Sequence, residues 1–134
     1  MGRSVRKTQR PPVYRYCEML LQRVCAFVDR SYKRSQSIHI MSTGLIHDIE
    51  EILSYGAMTL NAVPEQKDFV LQCVTSILVK MWTITTKLER IYFSLANSQH
   101  HFLTEEQYGE ILDLLNLIES DYAKWKDKLT TSHN

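Results

Sequence analysis

Glycine and proline are scarce in this chain, four and three among 134 residues, and its apolar residues recur at helical rather than alternating spacing. Sheet patterns and frequent turns are thereby disfavoured, and an all-α fold is expected. Cysteine is sparse as well: three residues, an odd number without motif spacing, argue against a disulfide scaffold and for a reducing, cytoplasmic compartment. No stretch reaches the roughly 18 apolar residues of a membrane span. The run "MLLQRVCAFV" is broken by Gln22 and Arg23, so it is also a poor signal-peptide core. A glycine-rich phosphate loop, a nucleophile elbow and a zinc-spaced Cys/His set are all missing. So is the Glu-x-x-His pair that a carboxylate di-metal bundle needs on two of its helices. These absences argue against an enzyme, and neither metal nor cofactor is expected.

What the chain does have is polarised charge. Through Ile40 there are nine Lys or Arg against Glu18 and Asp29, a balance of +7; the remainder has seven against thirteen, a balance of −6. Such asymmetry implies a polyanionic partner for the basic part, attraction between copies of the chain, or both. The most concentrated cations are Arg3, Arg6, Lys7 and Arg10, placed before Pro11 and Pro12 with no acid among them. They cannot build a core, so residues 1–12 are expected to be a disordered basic arm that neutralises phosphates.

Four helical segments follow, over 13–129, with 130–134 as a frayed tail. The first should run to Ser31 and bury Val13, Cys17, Leu20, Leu21, Val24 and Val28. After the polar break "SYKRSQS", Ser35 or Ser37 can cap a second helix reaching Asn61, with Ile38, Leu45, Ile49, Ile52, Leu53, Gly56 and Leu60 inward. Gly44 is a candidate kink and Gly56 a candidate point of tight packing. Pro64 suits the first turn of a third helix extending to Asn97, whose stripe runs from Val70 through Met81 and Ile91 to Tyr92 and Leu95. "NSQHH" breaks the pattern. Thr104 and Gln107 then form a capping box, with Leu103 and Tyr108 as its hydrophobic staple, opening a helix to about Lys128. Its inward set is Tyr108, Ile111, Leu112, Leu115, Ile118, Tyr122 and Trp125. Short connections between four amphipathic helices describe an antiparallel four-helix bundle.

Few residues invite chemistry. His47 and Glu50 stand three apart on one helix, and a solvated or capping role fits them better than a metal site. His100 and His101 are adjacent in a predicted loop, where they chelate poorly. Cys17 and Cys73 lie in apolar stripes and read as core; Cys25 lies at a stripe's edge. Among the aromatics, Tyr108, Tyr122 and Trp125 share a core face. Tyr14, Tyr16 and Tyr32 instead lie among Arg10, Arg15, Lys33 and Arg34, the mixture a single-stranded nucleic-acid surface uses.

The order and spacing of "YRYCEMLLQRVCAFVDRSYKRSQ", "LIHDIEEIL", a long third helix and "HHFLTEEQYGEILDLLNLIESDYAKW" resembles the accessory variability determinant proteins of diversity-generating retroelements. These are relatives of the four-helix-bundle proteins encoded by intervening sequences of 23S ribosomal RNA genes. The resemblance spans about residues 13 to 126. It implies a non-catalytic partner of a reverse transcriptase that assembles as a cyclic homopentamer. It also implies binding of RNA, with cDNA or hybrid as further ligands, and support for error-prone copying of template RNA. At matching positions, Arg15, Arg23, Arg30, Lys33 and Arg34 of the first helix and its turn, with Lys80, Lys87 and Arg90 of the third, become candidate nucleic-acid contacts. The chain departs from the family in being nearly neutral overall, which implies that the polymerase supplies much of the cationic surface.

The residues themselves also allow docking between copies. A basic strip outside the first helix and an acidic one on the last (Glu106, Glu110, Asp113 and Asp121) can meet head to tail, and repeated contacts of that kind that close make a ring. The count of five belongs to the resemblance. The competing expectation is a protein-interaction adaptor with no nucleic-acid role, whose polar strips serve only self-association. A small-ligand bundle would need a buried polar constellation, which the sequence does not display.

Overall fold

The computed structural model describes residues 12–60 and 62–131, apart from the side chains of residues 12–14 and 64. The expected basic arm lies outside the described residues except for Pro12, the first residue of a helix; the candidate contacts Arg3, Arg6, Lys7 and Arg10 fall there. The expected core position Val13 and the aromatic Tyr14 lie outside the described side chains.

The fold is all-helical among the described residues, with five α-helices. They are α1 (Pro12–Ser31), α2 (Gln36–Leu60), α3 (Lys67–Tyr92), α4 (Leu95–His100) and α5 (Glu105–Thr131), with a single 3-10 turn (Pro64–Gln66) ahead of α3. Each long helix packs on two others: α1 and α3 both lie against α2 and α5. The core between them is aliphatic, with Leu20, Ile38, Leu45, Ile49, Ile77, Leu88 and Ile118 all fully enclosed. Burial of such side chains supplies roughly 1.5–3 kcal/mol each, which is why these stripes decide the fold while helix propensity only permits it.

Helix ends follow local hydrogen-bonding chemistry. Ser35 Oγ accepts from Ile38 N at 3.4 Å and starts α2. The capping box forms as expected: Gln107 N donates to Thr104 Oγ1 at 3.2 Å and Thr104 N to Gln107 Oε1 at 3.1 Å. Leu103, just before it, is buried. Gly44 produces no break, and α2 is continuous through it.

Three expectations need correction. The third helix does not reach Asn97; it stops at Tyr92, and "NSQHH", read as a pattern break, is largely the short helix α4. Ser94 caps α4 by accepting from Asn97 N at 3.2 Å, and His101 ends it in the left-handed region at φ 55°. Leu95, expected inside, is exposed on α4, and Leu60, at the last turn of α2, is exposed too. The buried stripes also omitted Phe27, Phe102 and Leu114.

Length and composition alone would let α3 cross a membrane, although no uninterrupted apolar run is long enough for the sequence to announce it. In this fold its inner face is core, and its flank carries Lys80 and Lys87, both ion-paired to α2.

Candidate nucleic-acid interface

Two basic surfaces follow from the sequence, one on α1 and its turn, one on α3. The structure treats them differently.

On α3, Lys87 Nζ donates to Asp48 Oδ2 at 2.8 Å, and Lys80 Nζ lies 3.6 Å from Asp48 Oδ1 and 3.2 Å from Glu51 Oε2. Asp48 is only 5 % exposed. A buried carboxylate needs paired cations to offset its desolvation, so these two ammonium groups are committed within the chain. Glu51 also lies 3.4 Å from His47 Nε2, which projects into solvent. His47 therefore pairs one turn away with Glu51 rather than with Glu50. The result is a polar cluster across α2 and α3 built on one buried carboxylate, Asp48, with its partners partly exposed, which the sequence did not display. Arg90 is the remaining candidate on α3 and is exposed.

On α1, Arg23 pairs with Glu110 of α5. Arg30 donates through Nε and Nη2 to Phe102 O at 3.1 and 2.9 Å, and through Nη2 to Gln107 Oε1 at 3.0 Å. The strips expected to join one copy to the next thus already meet within one chain at Arg23 and Glu110, because α1 and α5 are neighbours. At this point of the surface the two strips are engaged with each other inside the chain.

What stays outward is concentrated in the turn after α1. Arg34 N bonds Ser31 O at 3.0 Å and Ser35 N bonds the same carbonyl at 3.1 Å, closing a tight turn with Lys33 at φ 66°. That backbone lifts Tyr32, Lys33 and Arg34 off the core; Tyr32 is 57 % exposed. Lys33 Nζ stands 5.4 Å from the centre of the Tyr32 ring, and the His39 ring packs 5.3 Å away on a tilted plane. Arg15 is exposed one helix-length earlier, and Tyr16 is half-buried against the core. A flat aromatic face beside unpaired cations can stack a base while its phosphates are neutralised.

Tyr92 and the aromatics of α5 serve packing. Tyr92 and Tyr108 stack at 4.1 Å with rings nearly parallel, Tyr122 is buried, and Trp125 lies half-buried beside it. Burial and the nearby Glu89 and Tyr92 push the Tyr108 hydroxyl above its ordinary range. Burial, helped by Glu18, pushes the Cys17 thiol up to about 12, and burial raises Cys25 and Cys73 also. These sulfurs are thiols at neutral pH; Cys17 and Cys73 are buried, and Cys25 is half-buried. Among the described residues, no group of three or more His, Cys, Asp or Glu is placed to hold a metal ion.

In comparisons with known proteins, no family model, curated protein or solved structure matches the chain.

Proposed function

We propose that the chain is a non-catalytic, nucleic-acid-binding accessory protein whose four long helices form an antiparallel four-helix bundle and which partners a reverse transcriptase in template-RNA-directed, mutagenic cDNA synthesis. The observation that carries the binding part is the turn Tyr32–Lys33–Arg34, an exposed aromatic with two cations that have no carboxylate partner among the described residues. Single-stranded RNA is the ligand this mixture suits, since stacking on Tyr32 reads no sequence and Lys33 and Arg34 reach phosphate. The polymerase partner, and assembly into a ring of five, rest on the resemblance in helix order and spacing.

Binding is tested with the full chain and a single-stranded RNA at several salt concentrations. Each phosphate contact on a single strand contributes about 0.7 to the slope of log affinity against log salt. Replacing Lys33 and Arg34 together by Glu should weaken binding and flatten that slope by about 1.4. Removing residues 1–10 should flatten it further. A slope unchanged by both alterations removes RNA from the reading, and co-purification with a reverse transcriptase tests the partner separately.

One observation favours the adaptor reading instead: Lys80 and Lys87, two of the candidate contacts, are held by Asp48 and Glu51. An adaptor would bind protein with the variant turn as well as with the native one.

A further inference from the structure

The outward face of α3 carries large apolar side chains from its midpoint to the residue that caps it, Phe93. Val79, Trp82 and Phe93 are 60, 73 and 73 % exposed, and they share one stripe with Thr83, Thr86 and Arg90. The two threonines look polar in sequence but do not act so. Thr83 Oγ1 donates to Val79 O at 3.4 Å and Thr86 Oγ1 to Trp82 O at 3.0 Å, so both hydroxyls turn back on their own helix. Their methyl groups are left to solvent. Arg90 is the one cation of the stripe, and the exposed Glu89, seven positions after Trp82 and four before Phe93, borders it.

About Thr86 the stripe has mirrored positions of complementary rather than identical chemistry, with Thr83 and Glu89 three positions on either side. Val79 and Phe93 stand seven positions on either side of it, and Trp82 and Arg90 stand four. A second α3 laid antiparallel across a two-fold axis at Thr86 brings Val79 to the partner's Phe93 and Trp82 to the partner's Arg90, twice over. An isologous contact needs such a self-complementary patch. The arginine meets an indole face, where a guanidinium is attracted by the ring quadrupole, and the small threonines at the centre let the two helices approach closely.

From this we propose that α3 is a two-fold self-association surface, occupied by α3 of a second copy of this chain. A nucleic acid suits it less, because one arginine serves the whole stripe. The contact leaves the turn at Tyr32, Lys33 and Arg34 free for nucleic acid but takes up Arg90. It also differs from the head-to-tail contact that would close a ring, because each copy presents the same residues.

Symmetry gives the test. In the full chain with Cys25 replaced by Ser, Thr86→Cys places one thiol on the axis, and mild oxidation should yield a covalent dimer from that single substitution. Val79→Cys alone should not cross-link, whereas a mixture of Val79→Cys and Phe93→Cys chains should. Without cysteine variants, Thr86→Arg opposes two charges on the axis and should weaken self-association by about tenfold or more in sedimentation equilibrium. A monomeric wild-type chain, or equal cross-linking by Thr86→Cys and Val79→Cys alone, overturns the proposal. So does loss of RNA binding by Trp82→Ala in a chain that stays monomeric, which would assign the stripe to nucleic acid.

Discussion

Lys87 Nζ reaches Asp48 Oδ2 at 2.8 Å, joining α3 to α2 across 39 positions of sequence, and Gly44 lies close by, where an added Cβ would be 3.9 Å from the same ammonium. The two sides of this contact are unequal. Asp48 is buried, while the side chains of Lys80 and Lys87 are 27 and 39 % exposed. Replacing both lysines by Met strands a buried charge and should cost about 3–5 kcal/mol. Replacing Asp48 by Ala leaves two flexible ammonium groups that can swing to water, and should cost about 1–2 kcal/mol. Urea unfolding followed by circular dichroism measures both; equal losses would show that Asp48 is not the group at risk.

The same cluster predicts an alkaline limit. A hydrogen bond to Glu51 raises Lys80 above its ordinary 10.5; partial burial opposes this, and the charges of Asp48 and Glu51 add to it. A cation whose pKa is higher folded than unfolded stabilises the fold fully below 10.5 and loses that contribution as pH climbs through the folded value. Between about pH 8 and pH 11, the gap in melting temperature between wild type and Lys80→Met should therefore narrow at the alkaline end. A constant gap would mean that Lys80 acts through its aliphatic stem alone.

The parts legible in the sequence are those set by local spacing. The all-helical class, the inward stripes and the box at Thr104 and Gln107 depend on neighbours three or four residues apart, and the structure shows them, apart from the exposed Leu60 and Leu95. Phe27 was missed because it flanks the line through Leu20, Val24 and Val28 rather than lying on it. Phe102 was missed because no periodicity governs a loop; it is buried where Arg30 grips its carbonyl. Pairing over long range is equally silent, so Lys80 and Lys87 read as free cations until Asp48 is seen beneath them. Tyr32, Lys33 and Arg34 were legible because composition alone marks them, and the turn keeps all three outside.

Asn97 carries the connection that the sequence left as a break. Its Nδ2 donates to Tyr92 O at 3.0 Å and Leu103 O at 2.9 Å, and its Oδ1 accepts from Leu103 N at 2.8 Å. It is buried, so it replaces water for backbone groups that no helix can satisfy. Asn97→Ala should cost about 2–3 kcal/mol by leaving those groups unpaired. Asn97→Asp should cost more, because it keeps the acceptor while replacing two donated bonds with a buried charge. Denaturant titration ranks the two, and the reverse order would show that the site is open to solvent.

Glycine gives the sharpest contrast between neighbouring elements. A Cβ on Gly109 would meet nothing within 4 Å, so Gly109→Ala should stabilise the chain by about 0.5–1 kcal/mol through helix propensity. A Cβ on Gly56 would stand 3.0 Å from Tyr122 Oη, and Tyr122 is buried. There the propensity gain of about 1 kcal/mol is set against about 1–3 kcal/mol of overpacking, so Gly56→Ala should destabilise. Removing the obstructing oxygen isolates the cause: in a Tyr122→Phe background, Gly56→Ala should cost less than it does in the native chain. Thermal melts of the four chains decide it. If the cost of Gly56→Ala is the same with Phe at 122, the clash lies elsewhere and the reach of the Tyr122 side chain toward α2 does not depend on this glycine.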